Sequence, residues 1–146
     1  RRVVRLPDDI YVIEDRVTGI CREDHDIRLY YNFAFGHLDG ENGKFDYTSQ
    51  KGRGYTMTVQ ADKKLDFEIL EGSENPIGGW ISYGYAWRKP IPQLIAKHSG
   101  KAPIHFITVL APEGTKAETV INGDAAMVTL AGGKVLTLTE NAVELH

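Results

Sequence analysis

The stretch Ile27-Arg28-Leu29-Tyr30-Tyr31-Asn32-Phe33-Ala34-Phe35 decides the fold class. Ile27, Leu29, Tyr31, Phe33 and Phe35 fall on one side of an extended chain, and Arg28, Tyr30, Asn32 and Ala34 on the other. Successive side chains of a strand point to opposite sheet faces, so this rhythm predicts a strand with one face on a core and one wetter face. The same rhythm recurs outward in both directions. Tyr55, Met57, Val59 and Ala61 alternate with Thr56, Thr58 and Gln60, and Leu65, Phe67 and Ile69 with Asp66, Glu68 and Leu70. The turn Ala61-Asp62-Lys63-Lys64 between them predicts a hairpin. Ala126–Leu130 and Lys134–Leu138 flank Gly132-Gly133, and glycine accepts positive φ, so a second hairpin is expected there.

Further β-rich runs cover 2–6, 10–18, 44–48, 79–89, 92–98, 103–111 and 117–121, separated by Gly, Pro, Asn and Asp clusters. Asp39–Gly43 and Glu71–Gly79 read as loops. No stretch sustains a helical period, and no fixed repeat suggests a propeller or solenoid. About ten to twelve strands without crossover helices predict an all-β, antiparallel β-sandwich rather than a parallel α/β sheet. At 146 residues the chain is expected to be one β-sandwich domain, residues 1–146, with two independent cores disfavoured. That length is enough to bury a core without disulfides or metal.

Composition narrows the function classes. With 42% hydrophobic and 25% charged residues the chain is ordinary for a globular protein, and no apolar stretch approaches a membrane span. A formal charge of −3 disfavours a nucleic-acid partner. Cys21 is the single cysteine and cannot make an intrachain bridge. Arg1–Arg5 runs into Pro7-Asp8-Asp9 without an apolar stretch between, so no secretory signal is read, and the opening in mid-strand reads as that of a fragment.

Catalytic chemistry is scarce. His25, His37, His98, His105 and His146 are scattered, with neither H-x-H nor H-E-x-x-H spacing, so no metal site and no cofactor are expected. G-x-S-x-G, P-loop and G-x-G-x-x-G patterns do not occur, and Gly52-Arg53-Gly54 is better explained by a β-turn. Glu14/Asp15 and Glu23/Asp24/Asp26 are candidate carboxylate pairs of the kind glycoside hydrolysis uses, but any 146-residue domain with 20 acids shows such clusters, and solvated loop charge is the favoured account.

Charge partitioning is the informative feature. From Asn75 to Pro112 there is no Asp or Glu, while Arg88, Lys89, Lys97 and Lys101 supply four positive charges, leaving 13 basic and 20 acidic residues elsewhere. The same segment holds Trp80, Tyr83, Tyr85 and Trp87. Cations beside aromatic faces suit an acidic polysaccharide or oligosaccharide, because carboxylates pair with Arg or Lys while rings offer flat apolar contact. Trp80, Tyr83, Tyr85, Trp87, Arg88 and Lys89 are therefore the candidate carbohydrate-binding residues. Read as one strand, Tyr83, Tyr85 and Trp87 share a face opposite Trp80, Ser82 and Arg88, and one of these faces is expected to be buried. Aromatics at this spacing commonly fill a core.

Three ordered stretches resemble the C-terminal part of the heparinase II/III-like polysaccharide lyases. Tyr11–Gly19 is similar to that family's apolar strand followed by D-x-[VIL]-x-G. Gly79–Pro90 is similar to W-x-S-x-x-Y-G, with Tyr85-Ala86 standing where the family has Tyr-Gly, and Ile104–Pro112 is similar to T-x-L-x-P. The resemblance implies the β-sandwich portion of an enzyme whose α/α-toroid precedes it, part of a larger supersandwich, in a parent that cleaves uronic-acid polysaccharides by β-elimination. It implies a toroid partner in the parent chain and a periplasmic or secreted location. The family's His-x-His-x-Asp stretch does not occur in 1–146, so the resemblance assigns no catalytic or metal residue here, and the chain alone is expected to be inactive. Two other readings stay open: a stand-alone carbohydrate-binding module for acidic glycans, and a packing module that exposes an apolar patch. Unpaired sheet edges also predict an edge-strand dimer.

Overall fold

A computed structural model describes residues 1–19 and 22–146, and the alternating stretches emerge in it as seventeen strands: β1 Arg2–Leu6, β2 Ile10–Val17, β3 His25–Asn32, β4 Gly36–Glu41, β5 Lys44–Ser49, β6 Gly54–Ala61, β7 Asp66–Glu71, β8 Ser73–Glu74, β9 Ile77–Gly78, β10 Trp80–Gly84, β11 Trp87–Pro90, β12 Pro92–Gly100, β13 Ile104–Pro112, β14 Ala117–Asn122, β15 Ala125–Leu130, β16 Val135–Leu138 and β17 Val143–Leu145. All pairings are antiparallel, and the chain is all-β. The strand number exceeds the ten to twelve expected because β8, β9 and β17 are pieces of two or three residues, because β4 covers part of a stretch read as a loop, and because the 79–89 run is two strands rather than one.

A six-stranded sheet in the order β1-β2-β13-β6-β5-β4 is the middle layer. A three-stranded sheet, β3-β12-β7, packs on one face of it and a four-stranded sheet, β14-β15-β16-β17, on the other. β13 explains the arrangement. Ile104-His105-Phe106-Ile107-Thr108-Val109 is a continuous run of buried positions, as a strand covered on both faces requires. Ile104 and Phe106 face Leu29, Leu94 and Ala96 of the three-stranded sheet, together with Phe45, Met57 and Val59 of their own sheet. Ile107, Val109 and Ala111 face Ala126, Val128, Leu136 and Leu138 of the four-stranded sheet. Two apolar clusters thus form, one on each side of a shared strand.

The predicted hairpin between 55–61 and 65–70 does not form. β6 pairs with β13 and β5, while β7 pairs with β12, Pro92 opposite Glu71. Asp62 shows why. Its N–H donates to the His105 carbonyl at 3.1 Å and its carboxylate accepts the His105 N–H at 3.0 Å. These bonds hold the chain against β13 at the point where it leaves β6, and it then crosses to the other layer. Side-chain alternation identifies the buried face of a strand, not its neighbour. The Gly132-Gly133 hairpin does form, with Thr129 opposite Val135 and φ of +84° and +81° at the two glycines. Asp39–Glu41 belong to β4 and only Asn42-Gly43 make the turn, Asn42 at φ +53°.

Phe106 lies on the shared strand and has no exposed surface. Phe106→Ala is expected to cost about 3–5 kcal/mol through lost burial and the cavity left behind, measurable as a lower urea midpoint in equilibrium unfolding.

Candidate functional site

The candidate residues sit on a β-hairpin, β10 and β11, inserted between the end of β7 and the start of β12. Gly79 anchors its base: its carbonyl accepts the N–H groups of Gly72 and Ile91 at 2.9 and 2.8 Å. Trp80 pairs with Pro90, Ile81 with Lys89 and Gly84 with Trp87, with a register shift between Ile81 and Gly84. The Ser82 hydroxyl, near the tip, lies 2.9 Å from the Gly84 carbonyl and 2.6 Å from that of Trp87.

The expectation that one face of this segment is buried is overturned. Tyr83 is 73% exposed, Tyr85 fully exposed and Trp87 38% exposed. These rings do not fill the core because the segment folds back on itself at Tyr85-Ala86 and projects from the sheet end instead of lying across it.

The structure divides the six residues into two groups and leaves Tyr85 apart at the turn. On one side the Arg88 guanidinium lies 4.1 Å over the Trp80 ring and donates to the Glu74 carboxylate at 2.6 Å, while the Trp80 indole N–H donates to the Ser73 carbonyl at 2.9 Å. Gly72, at φ +60°, sits against the same indole. This side ties the hairpin to β8. On the other side the Tyr83 and Trp87 rings stand 5.4 Å apart, tilted by 34°, and the Lys89 ammonium lies 5.5 Å from the Trp87 ring centre. Two exposed rings with a cation beside them can take a flat apolar surface and a negative charge together.

The positive charges of the acid-free segment are not all available. Arg88 is paired with Glu74, and Lys97 lies 3.4 Å from Asp26. Asp26 also accepts from Ser99 at 2.7 Å and from Arg28 at 3.1 Å, and these bonds, Ser99 first, hold its carboxyl below the usual range. Among the described residues neither Lys89 nor Lys101 has a carboxylate within 4.0 Å.

The other sequence candidates disperse. Glu14 and Asp15 point to opposite faces of β2 and so make no catalytic pair. Arg1 grips Asp15 with bonds of 2.7 and 3.1 Å. Glu23 and Asp24 are exposed on the loop before β3. Gly52 lies in a turn in which its N–H and that of Arg53 both bond to Ser49. No group of three or more His, Cys, Asp or Glu among the described residues is placed to hold a metal ion. Cys21 lies outside the described residues.

Sequence reasoning missed a buried charge cluster. Glu14 is 3% exposed, and its carboxylate accepts from Arg2, Arg16 and His105. Its only signal in the sequence is that Glu14 and Arg16 continue the inward face set by Ile10 and Val12, which becomes meaningful once β13 brings His105 opposite Arg16.

No protein-family model and no curated protein matches the sequence. Solved structures do. A heparinase III, the BT4657 gene product, superimposes with a TM-score of 0.65 at 16% identity over 89% of this chain and 22% of its own. The heparan sulfate lyase HepC mutant from Pedobacter heparinus gives a TM-score of 0.66 at 14% identity over 94% of this chain and 23% of its own. The chain has the fold of a heparinase III region. It spans about a fifth of the length of those lyases.

The hairpin turn yields a prediction. Ala86 adopts φ +56°, a left-handed conformation that costs a non-glycine residue about 1 kcal/mol, at the position where the resembled motif has glycine. Ala86→Gly is expected to raise stability by about 0.5–1 kcal/mol, visible as a higher Tm with unchanged far-ultraviolet circular dichroism.

Proposed function

We propose that this chain is the non-catalytic β-sandwich portion of a heparinase-like polysaccharide lyase, and that its projecting hairpin contacts the acidic polysaccharide. The parent enzyme carries out β-elimination on a uronic-acid polymer, and its toroid supplies the catalytic groups. The observation that carries the saccharide contact is the exposed Tyr83–Trp87 pair with Lys89 beside it. A sugar ring laid on these faces covers apolar surface, and its carboxylate reaches an ammonium that has no carboxylate within 4.0 Å among the described residues. Trp80, Arg88 and Glu74 hold the hairpin in place so that little conformational freedom is lost on binding. Likeness of fold to heparinase III supports the parentage.

A stand-alone module for acidic glycans is the second reading, favoured by the fact that every residue of the hairpin site belongs to this chain. A packing role draws on a smaller feature: Val120 and Met127, cross-strand neighbours on the four-stranded sheet, are 50% and 40% exposed.

Isothermal titration of the chain with uronic-acid oligosaccharides tests the contact. Binding is expected to weaken with added salt and to fall at least fivefold in Trp87→Ala, about 1 kcal/mol, with the circular dichroism spectrum unchanged. Equal binding by wild type and variant would remove the hairpin from the interface. Incubation with heparin, heparan sulfate, alginate and hyaluronan is expected to produce no ultraviolet-absorbing unsaturated product, and turnover by the chain alone would contradict the non-catalytic assignment.

A further inference from the structure

The buried Glu14 cluster does more than fill space between sheets. Glu14 Oε1 accepts from Arg16 Nε and Nη2 at 3.0 and 2.9 Å and from His105 Nε2 at 2.8 Å, and Oε2 accepts from Arg2 Nε at 2.7 Å. Each of these three donors also bonds to the backbone of the four-stranded sheet. Arg16 Nη2 donates to the Asp124 carbonyl at 2.6 Å, and His105 Nδ1 lies 3.3 Å from the Gly123 carbonyl, both in the β14–β15 turn. Arg2 Nη2 and Nη1 donate to the Thr139 and Ala142 carbonyls at 2.6 and 3.3 Å, in the β16–β17 loop. One carboxylate therefore organises every side-chain bond that ties those two loops to the middle sheet among the described residues.

We infer that the ionised Glu14 carboxylate is a latch that fastens the C-terminal sheet, β14–β17, to the middle sheet, and that acid releases it. The charged groups facing it are Arg2 from β1, Arg16 from β2 itself and His105 from β13. Among the described residues the C-terminal sheet adds only the exposed Asp124, 3.8 Å from Arg16. Without its charge the carboxylate leaves two guanidiniums side by side and largely out of water, and their escape to solvent abandons the carbonyls they hold. Burial pushes the Glu14 carboxyl up, but the bonds from Arg16, Arg2 and His105 together outweigh it and hold the group below its usual 4.5. The fastening is thus complete above that value and is lost as pH falls below it through the native pKa.

Hydrogen exchange on the full chain tests this, with rates corrected for the intrinsic effect of pH. Between pH 7 and pH 3, protection of the Val128 and Leu136 amides is expected to fall by at least about fivefold, while Leu94 and Val59, in the cluster on the opposite face, change less than about threefold. Glu14→Gln should show the selective loss already at pH 7 and no further selective step in acid. Asp124→Asn should leave the step in place. A uniform loss across both clusters, no loss in β15 and β16, or a pH step surviving in Glu14→Gln would each overturn the latch. Should Glu14→Gln fail to fold, the wild-type series alone decides between selective and uniform loss.

Discussion

Both apolar clusters depend on the double burial of Ile104–Ala111. A strand covered on two faces must be apolar at odd and even positions alike, and any polar side chain on it must find a partner inside the protein. The two polar residues in the run obey this. Thr108, fully buried, shares a 2.6 Å hydrogen bond with the Tyr31 hydroxyl on the three-stranded side, and His105 meets Glu14 on the other. Burial pushes the Tyr31 hydroxyl up, so it stays neutral and able to make that bond. The middle sheet thereby presents one chemically satisfied surface to each outer layer.

Neighbouring β2 shows how period-two geometry separates charges that are adjacent in sequence. Glu14 and Asp15 look like a catalytic pair on paper, yet the pleat sends them to different layers, where each is neutralised by its own arginines. Ionised groups at such depth are stable only when paired, and here the pairing fastens layers together. Exposed chemistry lies elsewhere, on a hairpin with few contacts to either core. Its division into an anchored side, Trp80–Arg88–Glu74, and an open side, Tyr83–Trp87–Lys89, follows from the strand pairing of Ile81 with Lys89 and Trp80 with Pro90.

Strand content was legible because alternation is local. The runs at 2–6, 10–18, 92–98 and 103–111 correspond to β1, β2, β12 and β13 within a few residues, and the double glycine at 132–133 marks its turn. The aromatic-basic character of 79–89 was legible for the same reason. Its exposure was not, since a row of aromatic residues reads alike whether it lines a core or projects into solvent.

By itself, then, the sequence determined that the chain is β throughout, where most of its longer strands run, and which stretch carries rings beside cations without an acidic residue of its own. Only the tertiary structure decided that β6 and β7 separate into different layers, that Tyr83 and Trp87 face outward, and that Glu14 gathers Arg2, Arg16 and His105. The physical reason is range: side-chain alternation is set by neighbours one and two residues away. Strand partnership and charge pairing are set by contacts between segments as far apart as Glu14 and His105, which no local pattern encodes.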